Sequence, residues 1–181
     1  MTRLLGLDPG LRHTGWGVVE ALPGGKLRFV ACGVVHGVLD GELAARLGSI
    51  YLGLSQVIRA WAPAEAAVEE TVVNRNPLSS LKLGHARGVV LLAASHAGLT
   101  VAEYGSMQVK KAVTGTGHAA KEQVAAMVQA MLPDSGEPRA DAADALAVAI
   151  CHAHIRTSRS RIAAALARQS VPAPRPPARP S

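Results

Sequence analysis

The segment that decides the fold is LLGLDPG, residues 4–10. A short apolar run that ends at a carboxylate and a Pro-Gly pair is typical of a buried strand followed by a turn. Gly15–Glu20 and Leu27–His36 read as the next two strands, with a hairpin turn between them at Pro23–Gly25. Asp8 is thus predicted at the carboxyl end of the first strand.

Beyond these strands, helical and strand patterns alternate along the chain. Residues 42–61 place apolar side chains at helical spacing, and Pro63 ends that helix. Residues 66–69 and 99–103 read as short strands. Further helices are predicted over residues 77–96, with Asn76 as N-cap, 106–113, 119–131 and 140 to about 156. This order predicts an α/β chain with a mixed five-stranded sheet and helices on its faces.

The composition favours one folded domain that carries a tail. The 181 residues are 49% hydrophobic but only 3% aromatic, so the predicted core is aliphatic. We predict a folded domain over residues 1–157 and a basic, Pro- and Arg-rich, disordered tail over 158–181. No apolar run is long enough for a membrane span, and no signal peptide is expected. Cys32 and Cys151 are too few for a disulfide framework and suit a reducing cytoplasm.

The net charge of +6 comes from the end of the chain. Residues 156–181 hold six arginines and no acidic residue, and the remaining basic residues equal the 13 acidic ones in number. A basic tail can hold nucleic acid by releasing counterions, although a solvated tail without a ligand has the same composition. The overall charge by itself therefore does not predict DNA binding.

Four carboxylates stand out by their position in the predicted elements. Asp8 and Glu69 close the first and fourth strands. Asp141 and Asp144 are three residues apart at the start of the last helix, so they project from one face. Ligand sites of open sheets lie beyond the carboxyl ends of strands, so these elements can meet in one acidic pocket. Four like charges at close range need a cation, and carboxylate oxygens favour Mg²⁺ or Mn²⁺ over zinc.

Each carboxylate also has a purely structural explanation. Asp141 could act only as an N-cap, with Asp144 favouring the helix dipole. Asp8 before Pro-Gly could be an ordinary turn residue. Glu69 and Glu70 could mark where a strand reaches the surface, and since their side chains point to opposite faces, at most one enters a pocket. The prediction of a site therefore rests on all four acids together.

Several blocks of the sequence resemble RuvC-type Holliday junction resolvases. The opening block, LGLDPG at residues 5–10, is followed by TGWG at 14–17. The later blocks are VEE at 68–70, LKLGHARG at 81–88, EY at 103–104, QVK at 108–110, GTG at 115–117 with Lys121, and DAADALA at 141–147. The Asp-x-Gly start within the opening block is also shared by actin-like ATPases and sugar kinases, but the ordered set of blocks covers residues 3–156 and is specific.

The resemblance implies a ribonuclease H-like fold, a homodimer, and a metal-dependent endonuclease that cuts four-way DNA junctions in recombination and repair. By position, the catalytic and metal-binding acids are Asp8, Glu69, Asp141 and Asp144. Two Mg²⁺ or Mn²⁺ ions per site would activate a water and stabilise the leaving 3′ oxygen, with Asp8 bridging them. Paired nicks in strands of like polarity would leave 5′-phosphate and 3′-hydroxyl ends. Branch-migration motor proteins as partners and a bacterial cytoplasmic location are also expected.

Two positions depart from the family pattern. Some relatives carry histidine at the position of Asp141, which is an acid here. Val72 and Val73 stand where the family usually has an aromatic side chain, implicated in stacking near the junction centre. This chain therefore lacks that stacking group.

Contacts to the DNA backbone are expected from six basic residues. Lys121 falls in the first turn of a helix after a Gly-Thr-Gly loop, where backbone amides already favour phosphate. For any one of the six, the alternative is a solvated surface charge. The set is Lys110, Lys121, Arg75, Lys82, Arg87 and Lys111.

A symmetric homodimer would supply two active sites with the two-fold relation of the strands to be cut. The helix over residues 77–96 is the candidate interface, because it carries apolar side chains along much of its length. Plain core packing is the alternative explanation for those side chains.

Three rival functions have distinguishing features. An actin-like kinase or ATPase needs two such domains and a second phosphate loop, for which 181 residues are too few. A structural DNA-binding protein would bind junctions without metal and without cutting. A nuclease of the same fold could act on RNA or on stalled transcripts, and a comparison of substrates separates it. A zinc site in Cys151–His154 is disfavoured, because these residues do not share one face of a helix.

Overall fold

The computed structural model describes residues 1–38, 41–70 and 76–169. Within these ranges the chain forms five strands, five α-helices and short 3₁₀ turns at Pro23–Gly25 and Pro133–Ser135. The main elements are β1 (Thr2–Asp8), β2 (His13–Ala21), β3 (Leu27–His36), α1 (Leu43–Trp61), β4 (Glu65–Glu69), α2 (Pro77–His96), β5 (Thr100–Tyr104), α3 (Ser106–Thr114), α4 (Lys121–Met131) and α5 (Ala140–Gln169). In the described part of the chain no helix is long and apolar enough to cross a membrane.

The strands form one mixed sheet in the order β3-β2-β1-β4-β5, which confirms the predicted fold class. β1 pairs antiparallel with β2, and β2 with β3, whereas β4 is parallel to both β1 and β5. The register sets Leu7 beside Val68, so the next residues outward are Asp8 and Glu69. The two acids therefore leave the sheet side by side at the same edge.

Helices cover both faces of the sheet. α1 and α2 pack on one face, in a core that includes Leu5 and Leu7. α3, α4 and α5 pack on the other face, against Leu4 and Val19. Because side chains alternate along a strand, Asp8 points to the same face as Leu4. The face that receives Asp8 is therefore the one covered by α5.

α5 lies close to the sheet because glycines form the surface beneath it. A Cβ on Gly6 would lie 2.1 Å from the carbonyl oxygen of Ala145. A Cβ on Gly15 would lie 1.9 Å from the carbonyl oxygen of Asp141. Only glycine permits such an approach of helix to strand. The first turns of α5, and the acids on them, are thereby brought against the ends of β1 and β2.

α5 is longer than the sequence predicts. Its expected end near Arg156 is wrong, because the helix continues to Gln169 and includes residues 158–169 of the predicted disordered tail. The reason is local, since residues 162–167 read IAAALA, and alanine and leucine are the strongest helix formers. Residues 170–181 lie outside the described part, and the division into a domain and a tail stays a prediction.

α2 has one buried side and one exposed apolar side. Asn76 caps its start as predicted, since its side chain accepts a hydrogen bond from the amide of Leu78 at 3.0 Å. The buried side consists of Ala86, Val90, Ala93 and Ala94. The outward leucines are more than half exposed: Leu78 at 68%, Leu81 at 58% and Leu92 at 57%. Core packing therefore explains only one side of this helix.

Candidate active site

Three of the four predicted acids line one cavity at the edge of the sheet. Asp8 enters from the end of β1, Glu69 from the end of β4, and Asp144 from the second turn of α5. The cavity has a volume of about 140 Å³ and is lined by Asp8, Glu69, Ser106, Val109, Lys110, Lys121, Val124, Asp144 and Ala147. The structure thus brings two strand ends and the start of α5 together at one cavity.

Asp141 is placed differently from the other three acids. It lies in the first turn of α5, where its backbone carbonyl abuts Gly15, and its side chain is not among the cavity lining. It is nevertheless near enough to contribute to the raised pKa of Asp8. Since the helix begins at Ala140, Asp141 is inside the helix rather than its N-cap.

The electrostatics of the cavity centre on Asp8. Burial raises the pKa of Asp8 from its usual 3.8 to about 7, and the neighbouring carboxylates contribute to the rise. The contributing acids are Glu69, Asp144 and Asp141. The pKa of Glu69 is also raised, first by burial, while a hydrogen bond with Ser106 opposes the rise. The cavity thus concentrates negative charge that nothing within it fully balances.

Two of the predicted DNA contacts, Lys110 and Lys121, line this acidic cavity. The Nζ atom of Lys121 lies 3.1 Å from Oδ2 of Asp144, and this contact raises the pKa of Lys121. Lys121 is the first residue of α4, and its side chain remains 77% exposed. It can therefore contact Asp144 and a phosphate that approaches from solvent.

Thr14 and Ser106 support the site but were not among the predicted site residues. Thr14 is fully buried, and its hydroxyl donates a hydrogen bond of 2.7 Å to the carbonyl of Gly10, in the turn that follows Asp8. Ser106, the first residue of α3, hydrogen bonds with Glu69. The TGWG block contained the signal for Thr14, whereas nothing in the sequence indicated Ser106.

The donor atoms fit a hard divalent cation by their chemistry. All are carboxylate oxygens, and the pKa of Asp8 is raised first by burial and then by the neighbouring carboxylates. Within residues 1–38, 41–70 and 76–169, no three His, Cys, Asp or Glu side chains stand close enough together to hold a metal ion. A cation would therefore have to draw the carboxylates together, and Lys121 supplies part of the balancing charge.

A family model described as crossover junction endodeoxyribonuclease RuvC matches residues 4–152. The chain belongs to the RuvC family. The RuvC of Rhodospirillum rubrum is 58% identical over 165 residues, which is 91% of this chain and 97% of that protein. The RuvC of Paramagnetospirillum magneticum is 55% identical over 166 residues, or 92% and 99% of the two chains.

Two solved structures agree with the observed fold. Thermus thermophilus RuvC in complex with Holliday junction substrate is 40% identical, with a TM-score of 0.80 over 87% of this chain and 97% of that one. The yeast mitochondrial Holliday junction resolvase Ydc2 reaches a TM-score of 0.62 at 11% identity, over 89% and 86% of the two chains, and shows the fold alone. The sheet and its helices are thus the ribonuclease H-like arrangement that the sequence predicts.

The other predicted DNA contacts of this RuvC-family chain are dispersed. Lys111 lies beside the Gly-Thr-Gly loop, in a separate groove. Lys82 lines another groove, between α1 and α2. Arg87 forms an ion pair with Glu103. Arg75, like Val72 and Val73, falls outside the described residues. Of the five predicted DNA contacts that the structure describes, only Lys110 and Lys121 line the acidic cavity.

The side chains of the histidine-rich segment of α5 contact separate parts of the protein. Nδ1 of the buried His152 lies 2.8 Å from the hydroxyl of Tyr104, and Nε2 lies 3.0 Å from a carboxylate oxygen of Glu65. His154 contacts the carbonyl of Ala112 at 3.2 Å, and Cys151 is a buried free thiol. These side chains therefore point to different partners.

Proposed function

We propose that this RuvC-family chain resolves four-way DNA junctions by metal-dependent hydrolysis of two phosphodiester bonds, in homologous recombination and repair. The observation that carries the proposal is the convergence of Asp8, Glu69 and Asp144 with Lys110 and Lys121 in one cavity. An acidic centre flanked by ammonium groups suits cation-assisted cleavage of a phosphodiester better than binding alone. The solved Thermus relative is described in complex with Holliday junction substrate.

In this proposal the acids hold Mg²⁺ or Mn²⁺, two ions per site. Asp8 would occupy the central position, because its pKa responds to all three other acids, and Glu69, Asp141 and Asp144 would complete the ligand set. When bound, the cations supply activation of a water and stabilisation of the leaving oxygen.

The side chains around the acids would position the scissile strand. Lys121 and Lys110 would hold the oxygens of the phosphate, because both line the cavity and Lys121 remains mostly exposed. Water attacks phosphorus in line, the bond to the 3′ oxygen breaks, and that oxygen leaves as a hydroxyl. The products are therefore 5′-phosphate and 3′-hydroxyl ends.

We propose that two copies of the protein form a homodimer through α2. Leu78, Leu81 and Leu92 form an exposed apolar side on this helix, which an isologous contact would bury. Two copies related by a two-fold axis would present two cavities to the two strands of like polarity.

We further propose that the protein acts in the bacterial cytoplasm together with branch-migration motor proteins. The free thiols Cys32 and Cys151 suit a reducing compartment, and the two relatives described above are bacterial. The basic residues from 158 onward would add sequence-independent affinity for DNA.

The test compares labelled substrates of matched sequence: a four-way junction, a linear duplex and an RNA–DNA hybrid. Each is incubated with Mg²⁺, with Mn²⁺ or with chelator. Asp8→Asn removes the central acid, and Asp134→Asn, at an exposed position on the turn after α4, is the matched control for the loss of one charge.

Paired nicks in the junction alone, lost with chelator and in Asp8→Asn but kept in Asp134→Asn, are expected. Tight junction binding without nicks under any metal would leave a structural DNA-binding protein. Preferential cleavage of the hybrid would instead indicate a nuclease that acts on RNA.

A further inference from the structure

A second basic groove lies between α1, α2 and the turn after β1. It has a volume of about 330 Å³ and is lined by Leu11, Arg12, Arg46, Ser79, Lys82 and Leu83. Three of these side chains are cationic and none is acidic. We name it the α1–α2 groove. It is distinct from the acidic cavity, with which it shares no lining residue.

The cations of the α1–α2 groove make few polar contacts with the described part of the protein. Among the residues that the structure describes, Arg12 and Lys82 form no ion pair, and both are exposed. Nε of Arg46 is buried without a hydrogen-bond partner, and its Nη2 donates only a long bond of 3.5 Å to the carbonyl of Leu11. Because none of the three cations forms an ion pair within the described ranges, the groove presents positive charge to an anionic ligand.

Only a short segment of chain separates the α1–α2 groove from the acidic cavity. Arg12 follows Asp8 by four residues, so their Cα atoms are at most about 14 Å apart. The backbone between them is anchored, since Thr14 bonds to the carbonyl of Gly10 and the amide of Gly37 donates to the carbonyl of Arg12 at 3.0 Å. With about 3.4 Å of axial rise per nucleotide, a Cα–Cα span of that length corresponds to about four nucleotides of DNA.

The start of α2 adds a second attraction for an anion. Ser79 belongs to the first turn of this helix, where the helix dipole favours negative charge. The guanidinium groups of Arg12 and Arg46 can bind phosphate oxygens in a bidentate manner, while the ammonium of Lys82 acts as a point charge.

We propose that the α1–α2 groove binds a backbone phosphate of the DNA strand being cut, within four nucleotides of the scissile phosphate. This inference rests on the proposed function and extends it. Arg12 and Arg46 join Lys82, the one groove residue that the sequence analysis included among the DNA contacts. The contact fixes where the strand leaves the acidic cavity, and therefore helps to select the phosphate that is hydrolysed.

The test measures the dissociation constant of the labelled four-way junction over a series of salt concentrations, in chelator. The variant is Arg12→Gln/Lys82→Gln, which removes two exposed cations. The control, Arg59→Gln/Lys26→Gln, removes an exposed arginine and an exposed lysine that lie outside the groove. Each neutralised phosphate contributes about 0.9 to the slope of log affinity against log salt, and the proposed groove contact neutralises one phosphate, so the groove variant is expected to lower the slope by about 1.

A second arm locates the contact on the DNA. Uncharged methylphosphonates replace, one at a time, the four phosphates on each side of the cut. At one position the substitution should weaken binding by the wild-type protein about tenfold and have little further effect on the groove variant. Equal salt slopes for variant and wild type, or losses that add at every position, would overturn the inference. Failure of the proposed function is separate, because wild-type protein would then not cut the junction with any metal, whatever its salt slope.

Discussion

Removal of the Asp8 charge should stabilise the protein in the absence of metal while it abolishes cleavage. Asp8 has a pKa of about 7 in the folded chain against 3.8 as a free group, and burial is the first cause. The Asp8→Asn substitution keeps the shape of the side chain but removes the charge that is unfavourable there.

The size of the effect follows from the pKa. A rise from 3.8 to about 7 corresponds to about 4 kcal/mol of unfavourable interaction in the ionised state. Solvent that enters the cavity screens the charge, so we expect a net gain of about 2 kcal/mol at pH 8. For a chain of this size that gain raises the Tm by about 4–8 °C.

The raised pKa of Asp8 determines the direction in which the stability of the fold changes with pH. Between pH 4 and 7 the folded state holds a proton on Asp8 that the unfolded state has released. The stability contributed by this group is therefore full below pH 4 and is lost as the pH rises through 7. The difference between Asp8→Asn and wild type should be near zero at pH 4 and largest above pH 7.

The assay is urea unfolding at pH 4, 6 and 8 in chelator, repeated at pH 8 with Mg²⁺. Asp134→Asn serves again as the exposed control, for which no stabilisation is expected. Mg²⁺ should raise the stability of wild type and leave Asp8→Asn nearly unchanged, since binding to the folded state alone is stabilising. An Asp8→Asn protein that is no more stable than wild type at pH 8 in chelator would refute the electrostatic reasoning.

Three further predictions concern the frame around the site. Gly6→Ala should destabilise the fold by about 1–3 kcal/mol or more in urea unfolding, because its Cβ would meet the carbonyl of Ala145. The control Gly84→Ala, with open space around the new Cβ, should be neutral or stabilising. Equal stabilities of the two variants would contradict the close packing of α5. His152, whose pKa is lowered mainly by burial, should make wild type lose stability as the pH falls below about 6.5, and His152→Gln should flatten that dependence in unfolding at pH 5.5 and 7.5; a parallel pH profile would exclude this role. Leu81→Glu on the exposed side of α2 should convert the proposed dimer to monomer in sedimentation equilibrium. The control Leu52→Glu, at a position that is 62% exposed on α1, should leave the dimer intact. An unchanged dimer in Leu81→Glu would place the interface elsewhere.

The local pattern of the sequence was sufficient for the elements and the set of acids. Strand periodicity, helical spacing and turn residues predicted all five strands and all five helices of the described chain, with α5 as the main error in length. A strand that ends in Asp-Pro-Gly and a helix that begins with two acids three residues apart are short-range signals. These signals need no knowledge of distant contacts.

Only the tertiary structure decided how those residues meet. The direction of Asp8 toward α5 depends on the pleat of β1, and the depth of α5 depends on Gly6 and Gly15 lying beneath its first turns. The ion pair of Lys121 with Asp144 joins α4 to α5. None of these relations is written in residue spacing, because each depends on how two elements pack.

The α1–α2 groove illustrates the same limit most clearly. Arg12, Arg46 and Lys82 belong to a turn and two helices, and as separate residues each resembles an ordinary surface cation. The sequence determines that these charges exist, whereas the packing of α1 and α2 on one face of the sheet brings them around one groove. Electrostatic attraction depends on distance in space, so a shared anion site becomes visible only once the chain has folded.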